Sequence, residues 1–286
     1  MSKKNKKPRP GPETLELPLC GVDSHAHLDM RDSEADEDGR ELPDDLEEVL
    51  RAAKNAGVAR VGNVFLGPEA YERGRGLFAA HPEVFFILGI HPTDALHYTP
   101  ERLEKMRAAF LADPRLRAVG EIGLDYYWDD APPEAQEPAL RAQLGLARDL
   151  GLPPVIHCRD AEAETLRILD DEGFAGRALL WHCFGAGPEL AEAVLARGWT
   201  VSIPGPVTYR KNDELRAAVA MIPLERMLVE TDSPYLAPEP WRGKRNHPAL
   251  AAFTAAAVAE IKGLDTEDVW RATGQNALRF FGLDNS

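Results

Sequence analysis

Short apolar, β-branched runs alternate along this chain with longer segments of helical period. The runs occupy residues 20–25, 58–65, 84–90, 116–121, 154–157, 178–182, 199–203 and 227–230, each about the length of a buried strand. Between them, segments 43–56, 69–80, 100–112, 133–150, 161–172, 188–196 and 213–220 predict helices, and Ala-rich 248–261 and then 266–281 follow the last run. Leu140 and Leu144 share one helix face, and several helical segments open with proline, which suits a first turn. Strand and helix in strict alternation predict an α/β chain with a parallel sheet, and eight repeats match a (β/α)8 TIM-type barrel. An open doubly wound sheet is the alternative, but no GxGxxG turn follows the first run to cradle a dinucleotide phosphate.

Composition fits one large domain. The 286 residues are 44% hydrophobic and 28% charged, enough apolar material for a full core, and no Gly/Ser-rich or Pro-rich linker interrupts 19–286. Residues 1–18 are expected to be a disordered basic tail, because MSKKNKKPRP holds five Lys or Arg and no acid and is followed by Gly11 and Pro12. That tail lacks the apolar stretch of a secretory signal and the Ser/Arg richness of a transit peptide, and nowhere do about eighteen apolar residues run together. A soluble cytoplasmic protein without membrane contact or an evident obligate protein partner is expected. Cys20, Cys158 and Cys183 form no CxxC pair, so disulfides are not expected.

The formal net charge of -14 excludes broad electrostatic capture of nucleic acid, which needs a basic surface. Any contact with DNA must be local. The acidic stretch 29–48 reads as a solvated loop and helix start, with a cation site as the other reading.

Chemistry gathers at the carboxyl ends of the predicted strands, the pole where a barrel carries its active site. Asp23-Ser24-His25-Ala26-His27 ends the first run, His91-Pro92 the third, Glu121 to Asp125 the fourth, His157 the fifth, His182 the sixth, and Glu230-Thr231-Asp232 the eighth. His25 and His27 stand two apart, so in an extended strand both leave on one face and can reach one ion. Imidazole nitrogen with carboxylate oxygen suits zinc or manganese, and carboxylates with water also admit magnesium. Taken singly, His157 and His182 read equally as buried histidines bonded to carbonyls. Glu121 and Asp232, on apolar strands, would be costly to bury without a cation. Alternation predicts that the thiols of Cys158 and Cys183 face the helix layer. Tyr126, Tyr127 and Trp128 could stack on bases or form a local lid.

The segments VDSHAHLD, GIHPTDA, GEIGLDYYW, PVIHCRDA, WHCFGA, SIPGPVTYRKN and LVETDSPYLAP, in this order from Gly21 to Phe281, resemble the TatD-type deoxyribonucleases. The resemblance implies a binuclear metal site of two divalent ions (Mg, Mn or Zn) at the strand ends. His25, His27 and Asp232 would hold one ion, His157 and His182 the other, and Glu121 both. Related amidohydrolases often bridge with a carboxylated lysine, and Glu121 with no lysine nearby disfavours a dihydroorotase-like enzyme. The implied activity is hydrolysis of DNA phosphodiesters through a metal-activated water, as a 3′-5′ exodeoxyribonuclease on single strands, with Asp232 and Glu121 catalytic and Asp232 taking the water's proton.

His91 and Arg159 resemble family positions near the scissile phosphate, although His91 could brace its own His-Pro turn and Arg159 could pair with Asp160 or Glu162. Arg242, Lys244 and Arg245, beside Trp241 and before Asn246, form a local basic cluster suited to phosphate attraction and base stacking. Two departures stand out: Ala26 where relatives often carry cysteine, and His247 where glutamate is expected. The alternative readings are hydrolysis of another ester, such as the bond of a D-aminoacyl-tRNA, and a non-catalytic metal-stabilised partner protein.

Overall fold

In the computed structural model, which describes residues 9–30 and 45–284, strands and helices alternate as the pattern predicts. The strands are β1 (Gly21–Ala26), β2 (Val58–Leu66), β3 (Val84–Gly89), β4 (Leu116–Asp125), β5 (Pro154–Arg159), β6 (Leu180–Trp181), β7 (Thr200–Ile203) and β8 (Met227–Val229). The helices are α1 (Leu46–Asn55), α2 (Pro68–Gly74), α3 (Pro100–Ala112), α4 (Pro133–Leu150), α5 (Glu162–Asp171), α6 (Pro188–Ala196), α7 (Asp213–Met221), α8 (Ala251–Lys262) and α9 (Thr266–Phe280). All strand pairs are parallel and in sequential order from β1 to β8. A bridge between Ala26 and Ser233 brings β1 against the segment after β8, so the sheet rolls into the TIM-type barrel.

Several helices begin where local chemistry favours it. Proline occupies the first turn of α2, α3, α4 and α6, where its missing N–H would have had no helical partner. Thr99 caps α3 by accepting a hydrogen bond from Arg102 N at 3.2 Å.

The core has two layers. Inside the barrel, Val22, Val64, Phe85, Ile87, Ala118, Val155, Leu180 and Leu228 pack with Ala277, Phe281 and Leu283 from the chain's end, and Phe85 and Phe281 rings lie 4.6 Å apart. Outside, residues of the opposite parity, such as Phe86, Leu88, Ile156 and Trp181, pack with Leu140, Leu144 and Ile168 of the helices. Polar side chains occupy the inner positions only above the inner apolar layer, at the carboxyl ends.

Two strands break regular alternation on the way there. Between Asp23 and Ala26, β1 advances three residues while β2 advances two, and β4 does the same against β5 between Val119 and Ile122. The extra residue of such a bulge reverses which side chains face inward. That reversal lets Val22 and Ala118 face the inner apolar layer while His25 and Glu121, an odd step further on, also face inward.

The expectation of a disordered tail through residue 18 changes over residues 9–18. A 3-10 turn, Pro12–Leu15, buries Pro12, Arg9 Nε donates to Pro240 O at 2.6 Å, and Trp241 Nε1 donates to Pro10 O at 2.9 Å. Trp270 Nε1 donates to Pro18 O at 3.0 Å. Carbonyls and prolines here pack against aromatic residues that are hundreds of positions away, which composition alone does not reveal. Residues 1–8 of the tail and 31–44 of the acidic stretch lie outside the described residues. No helix of the described residues is long and apolar enough to cross a membrane.

Candidate metal centre

Six side chains predicted as ligands meet at the carboxyl pole, and Glu121 lies at their middle. Its Oε1 is 2.6 Å from His157 Nδ1 and 2.7 Å from His182 Nε2. Its Oε2 is 3.3 Å from His25 Nε2 and 3.8 Å from His27 Nε2. Asp232 Oδ1 faces the same two histidines, 3.8 Å from His25 Nε2 and 3.4 Å from His27 Nε2. One carboxylate therefore turns one oxygen to each of two histidine pairs. The donor atoms of His25, His27 and Asp232 lie within 4.8 Å of one another, as do those of His25, Glu121 and His182, and those of His91, Glu121 and His157.

The geometry fits a cation by a test independent of ligand type. Both ring nitrogens of His25 and Nδ1 of His27 are buried and have no hydrogen-bond partner among the described residues. Buried polar atoms are normally satisfied, and of these nitrogens His25 Nε2 is the one that faces the carboxylates of Glu121 and Asp232, where its lone pair suits a cation. In the ion-free protein, protons take that place. Burial opposes a charge on Glu121, yet His182, His91 and His157 hold its carboxyl well below the usual range. Burial likewise opposes charge on His182, but Glu121 raises it well above the ordinary imidazole value. His27 is raised against burial by Asp232, and His157 by Asp125 and Glu121. His25 is lowered by burial and by His182.

Around these side chains stands a set of carboxylates that the sequence reading placed at strand ends without giving them a role. Asp125 Oδ2 lies 2.9 Å from His157 Nε2. Glu230 accepts from Cys183 N at 2.7 Å and from the Ser202 hydroxyl, and its Oε1 is 3.7 Å from His182 Nδ1. Asp23 accepts from Thr231 N at 2.9 Å and is 2.6 Å from Thr231 Oγ1. Burial raises Asp23 to about 8 against those bonds. Asn63 accepts from Leu28 N at 2.7 Å and donates to Asp29 at 2.9 Å, fixing the turn after His27. Inward parity from Leu228 was the available signal for Glu230, whereas for Asp125 the bulge in β4 hid it.

Asp232 adopts φ 55°, a left-handed conformation uncommon for a non-glycine residue and characteristic of functional sites. Its N–H donates to His25 O at 2.9 Å, which ties the residue to β1.

A family model described as TatD related DNase matches residues 22–282. The chain belongs to the TatD family. It is 34% identical over 262 residues to the uncharacterized metal-dependent hydrolase YabD of Bacillus subtilis, covering 92% of this chain and 99% of that one. It is 35% identical over 248 residues to the 3′-5′ ssDNA/RNA exonuclease TatD of Erwinia tasmaniensis, covering 84% and 94%. The crystal structure of the TatD homologue YJJV from Escherichia coli K12 superposes with a TM-score of 0.82 at 27% identity, over 92% of this chain and 99% of that one. As a TatD-family protein, the chain is a metal-dependent hydrolase.

The remaining predicted contacts of this TatD-family chain divide by position. His91 joins the centre, with Nε2 3.5 Å from Glu121 Oε1 and 3.4 Å from His157 Nδ1. It also braces its own turn, since Nδ1 is 2.6 Å from Thr93 Oγ1. Arg159 pairs with neither Asp160 nor Glu162; its guanidinium centre lies 3.6 Å from the Tyr127 ring centroid and 5.7 Å from that of Trp128. Arg242 stacks 4.1 Å from the Tyr209 ring, and Lys244 is exposed. Arg245 pairs with Asp45 at 2.6 Å. Asn246 is buried, and its amide donates to Thr231 O at 2.8 Å and Tyr235 O at 2.6 Å. Those bonds commit Asn246 to holding the segment after Asp232 rather than to the open cleft.

Of the cysteines, Cys158 packs toward the helix layer as alternation predicts, where Thr165 Oγ1 donates to its sulfur at 3.4 Å. Cys183 departs from that expectation. The β6 ladder ends at Trp181, Cys183 takes φ 48°, and its thiol is raised by burial and by the carboxylates of Asp232, Glu230 and Glu121. Alternation has no force once the chain has left the strand.

Proposed function

We propose that this TatD-family hydrolase removes nucleotides from the 3′ end of single-stranded DNA by phosphodiester hydrolysis at a two-ion site. The observation that carries the reading is the division of Glu121, one oxygen toward His157 and His182 and the other toward His25 and His27. Phosphodiester cleavage develops negative charge on both the attacking and the leaving oxygen, and paired cations stabilise both together. His25, His27 and Asp232 would hold one ion, His157 and His182 the second, and Glu121 both. When bound, such ions supply Lewis acidity and lower a water's pKa toward about 7.

The chain's own residues do the rest. Asp232, whose Oδ1 is held toward His25 and His27, orients the attacking water and takes its proton on Oδ2. His91, at the cleft side of Glu121, donates from Nε2 to a nonbridging phosphate oxygen. Arg159, with Arg242 and Lys244 on the loop after β8, provides the local positive charge that an acidic protein needs to receive a polyanion. The exposed rings of Tyr127, Trp128 and Tyr235 offer stacking faces for unpaired bases. The exonuclease name of the Erwinia relative supports the substrate class.

The test is degradation of 3′-labelled and 5′-labelled single-stranded DNA by metal-stripped protein with Mg, Mn or Zn restored. Asp232→Asn serves as the contamination control. Metal-restored shortening from the 3′ end that the variant lacks is the expected result. Metal binding without DNA cleavage would overturn the nuclease assignment and direct the same assay to D-aminoacyl-RNA and other esters. A protein that binds no metal and gains no thermal stability from it would be a non-catalytic partner protein.

A further inference from the structure

Asp125 touches two things that no other described side chain joins. Its Oδ2 lies 2.9 Å from Nε2 of His157, whose other nitrogen, Nδ1, faces Glu121 Oε1 at 2.6 Å. Its Oδ1 accepts backbone hydrogen bonds from Tyr127 at 3.0 Å and Trp128 at 3.1 Å. Those two residues are the exposed aromatic rim that Arg159 covers. Asp125 is itself 1% exposed and locked from below by Gln136 of α4, which accepts from Asp125 N and donates to Asp125 O, both at 2.8 Å.

The chemistry of each arm is defined. An ionised carboxylate only accepts hydrogen bonds, so without an ion both nitrogens of His157 can hold protons, one toward Glu121 and one toward Asp125; an ion taken by Nδ1 would replace the first and leave the Nε2 proton held by Asp125. Carboxylate partners of this kind set the tautomer and orientation of ligating histidines. The same carboxylate satisfies two N–H groups of a loop whose rings are half in solvent. We propose that Asp125 is a positioning residue that couples the metal centre to the aromatic rim. An ion on His157 strengthens the hold of Asp125, and through it the order of the 126–128 loop, while a ligand seated on the rim tightens metal binding in return.

This inference rests on His157 being a ligand, and it does not depend on DNA as substrate. Two substitutions separate the arms. In Asp125→Asn the two backbone N–H groups retain the amide oxygen, which turns the amide NH2 toward His157 Nε2 and drives the proton to Nδ1. Metal affinity should fall about 10- to 100-fold, with the rim still ordered. In Asp125→Ala both arms are lost.

Affinity is read by competition of Zn or Mn with a chromophoric chelator. Loop order is read by acrylamide quenching of Trp128 fluorescence, isolated by comparison with Trp128→Phe. In the wild type, metal should protect Trp128 from quenching; in Asp125→Ala that protection should vanish, with thermal unfolding confirming that the variant is folded. Wild-type affinity in Asp125→Asn, or metal-dependent protection of Trp128 that survives in Asp125→Ala, would overturn the coupling while leaving the metal centre in place. Absence of metal binding in the wild type itself would remove both the centre and the coupling.

Discussion

Glu121 shares one negative charge between two sets of histidines, so a change of one atom should be felt on both sides. Glu121→Gln keeps shape and loses charge, and ion binding and hydrolysis should each fall by at least about 100-fold, the upper range for disturbing even an outer partner of a ligand. Elemental analysis after dialysis against dilute Zn or Mn checks this, and full occupancy by two ions would remove the bridging role. His91→Asn should behave differently, with metal content intact and turnover reduced about 100-fold, in the range of a lost acid–base or oxyanion contact; loss of metal would make His91 a ligand. Titration offers a third check. His27, His157 and His182 are raised in the ion-free protein, so their stabilisation is full below their unfolded value of about 6.5 and is lost as pH rises through the folded values. Asp23, raised to about 8, acts in the same direction, because its folded form keeps a proton that the unfolded chain has released. His25 and His91, lowered, change stability only below about 6.5. The metal-stripped protein should therefore lose thermal stability between about pH 6.5 and 8, while the gain on adding metal grows over the same range. Thermal unfolding with and without chelator measures both slopes, and a metal-free protein that gains stability across this window would contradict the protonation scheme. The histidines that gather around Glu121 were legible because each follows an apolar run. The partners Asp125 and Glu230 were visible as residues but not as roles, since their bonds to His157 and Cys183 cross between strands.

At the scale of the element, the centre depends on strands that are not regular. Simple alternation brings His157 and His182 inward from Val155 and Leu180, and it fails for His25 and Glu121, which the bulges in β1 and β4 turn inward. A bulge is a mismatch in count between two strands, so one strand's residues do not disclose it; the HxH spacing was legible, the parity beneath it was not. Just beyond the β4 bulge, Gly123 has φ 155° and a Cβ there would lie 1.8 Å from His157 O. The strand must pass that close for Gly123 to pair with His157. Gly123→Ala should therefore separate β4 from β5, costing about 3 kcal/mol and displacing His157 from Glu121. Denaturant unfolding gives the first quantity and metal affinity the second. A variant with wild-type values of both would show that the strands can part without disturbing the centre. Helix positions were easier to read, because prolines mark the starts of α3, α4 and α6 at Pro100, Pro133 and Pro188.

For the whole molecule, the centre sits on the seam where the barrel closes. Between the first and last strands, Ser24 Oγ donates to Val229 O at 3.0 Å, and Asp23 holds Thr231. Above them, Asp232 N and His27 N exchange bonds with His25 O and Ser233 O at 2.9 and 2.8 Å. His25 and His27 belong to one side of that seam and Asp232 to the other, so an ion held by all three fastens the end of the chain to its beginning. The barrel itself was legible from eight repeats; its closure was not, because the contacts join residues about 205 positions apart. Nor did composition reveal that residues 9–18 pack against Trp241 and Trp270. An ion that binds the closed barrel and not the unfolded chain must stabilise the entire fold. At free metal 1,000 times the dissociation constant the gain is about 4 kcal/mol, which for a chain of this size raises the melting temperature by on the order of 7 °C. Calorimetry should show that shift in a single transition, and Asp232→Asn should abolish much of it by removing charge from one side of the seam. A metal-induced shift that the variant keeps in full would mean that the ions stabilise the barrel from the Glu121, His157 and His182 side alone, and that the seam closes without them.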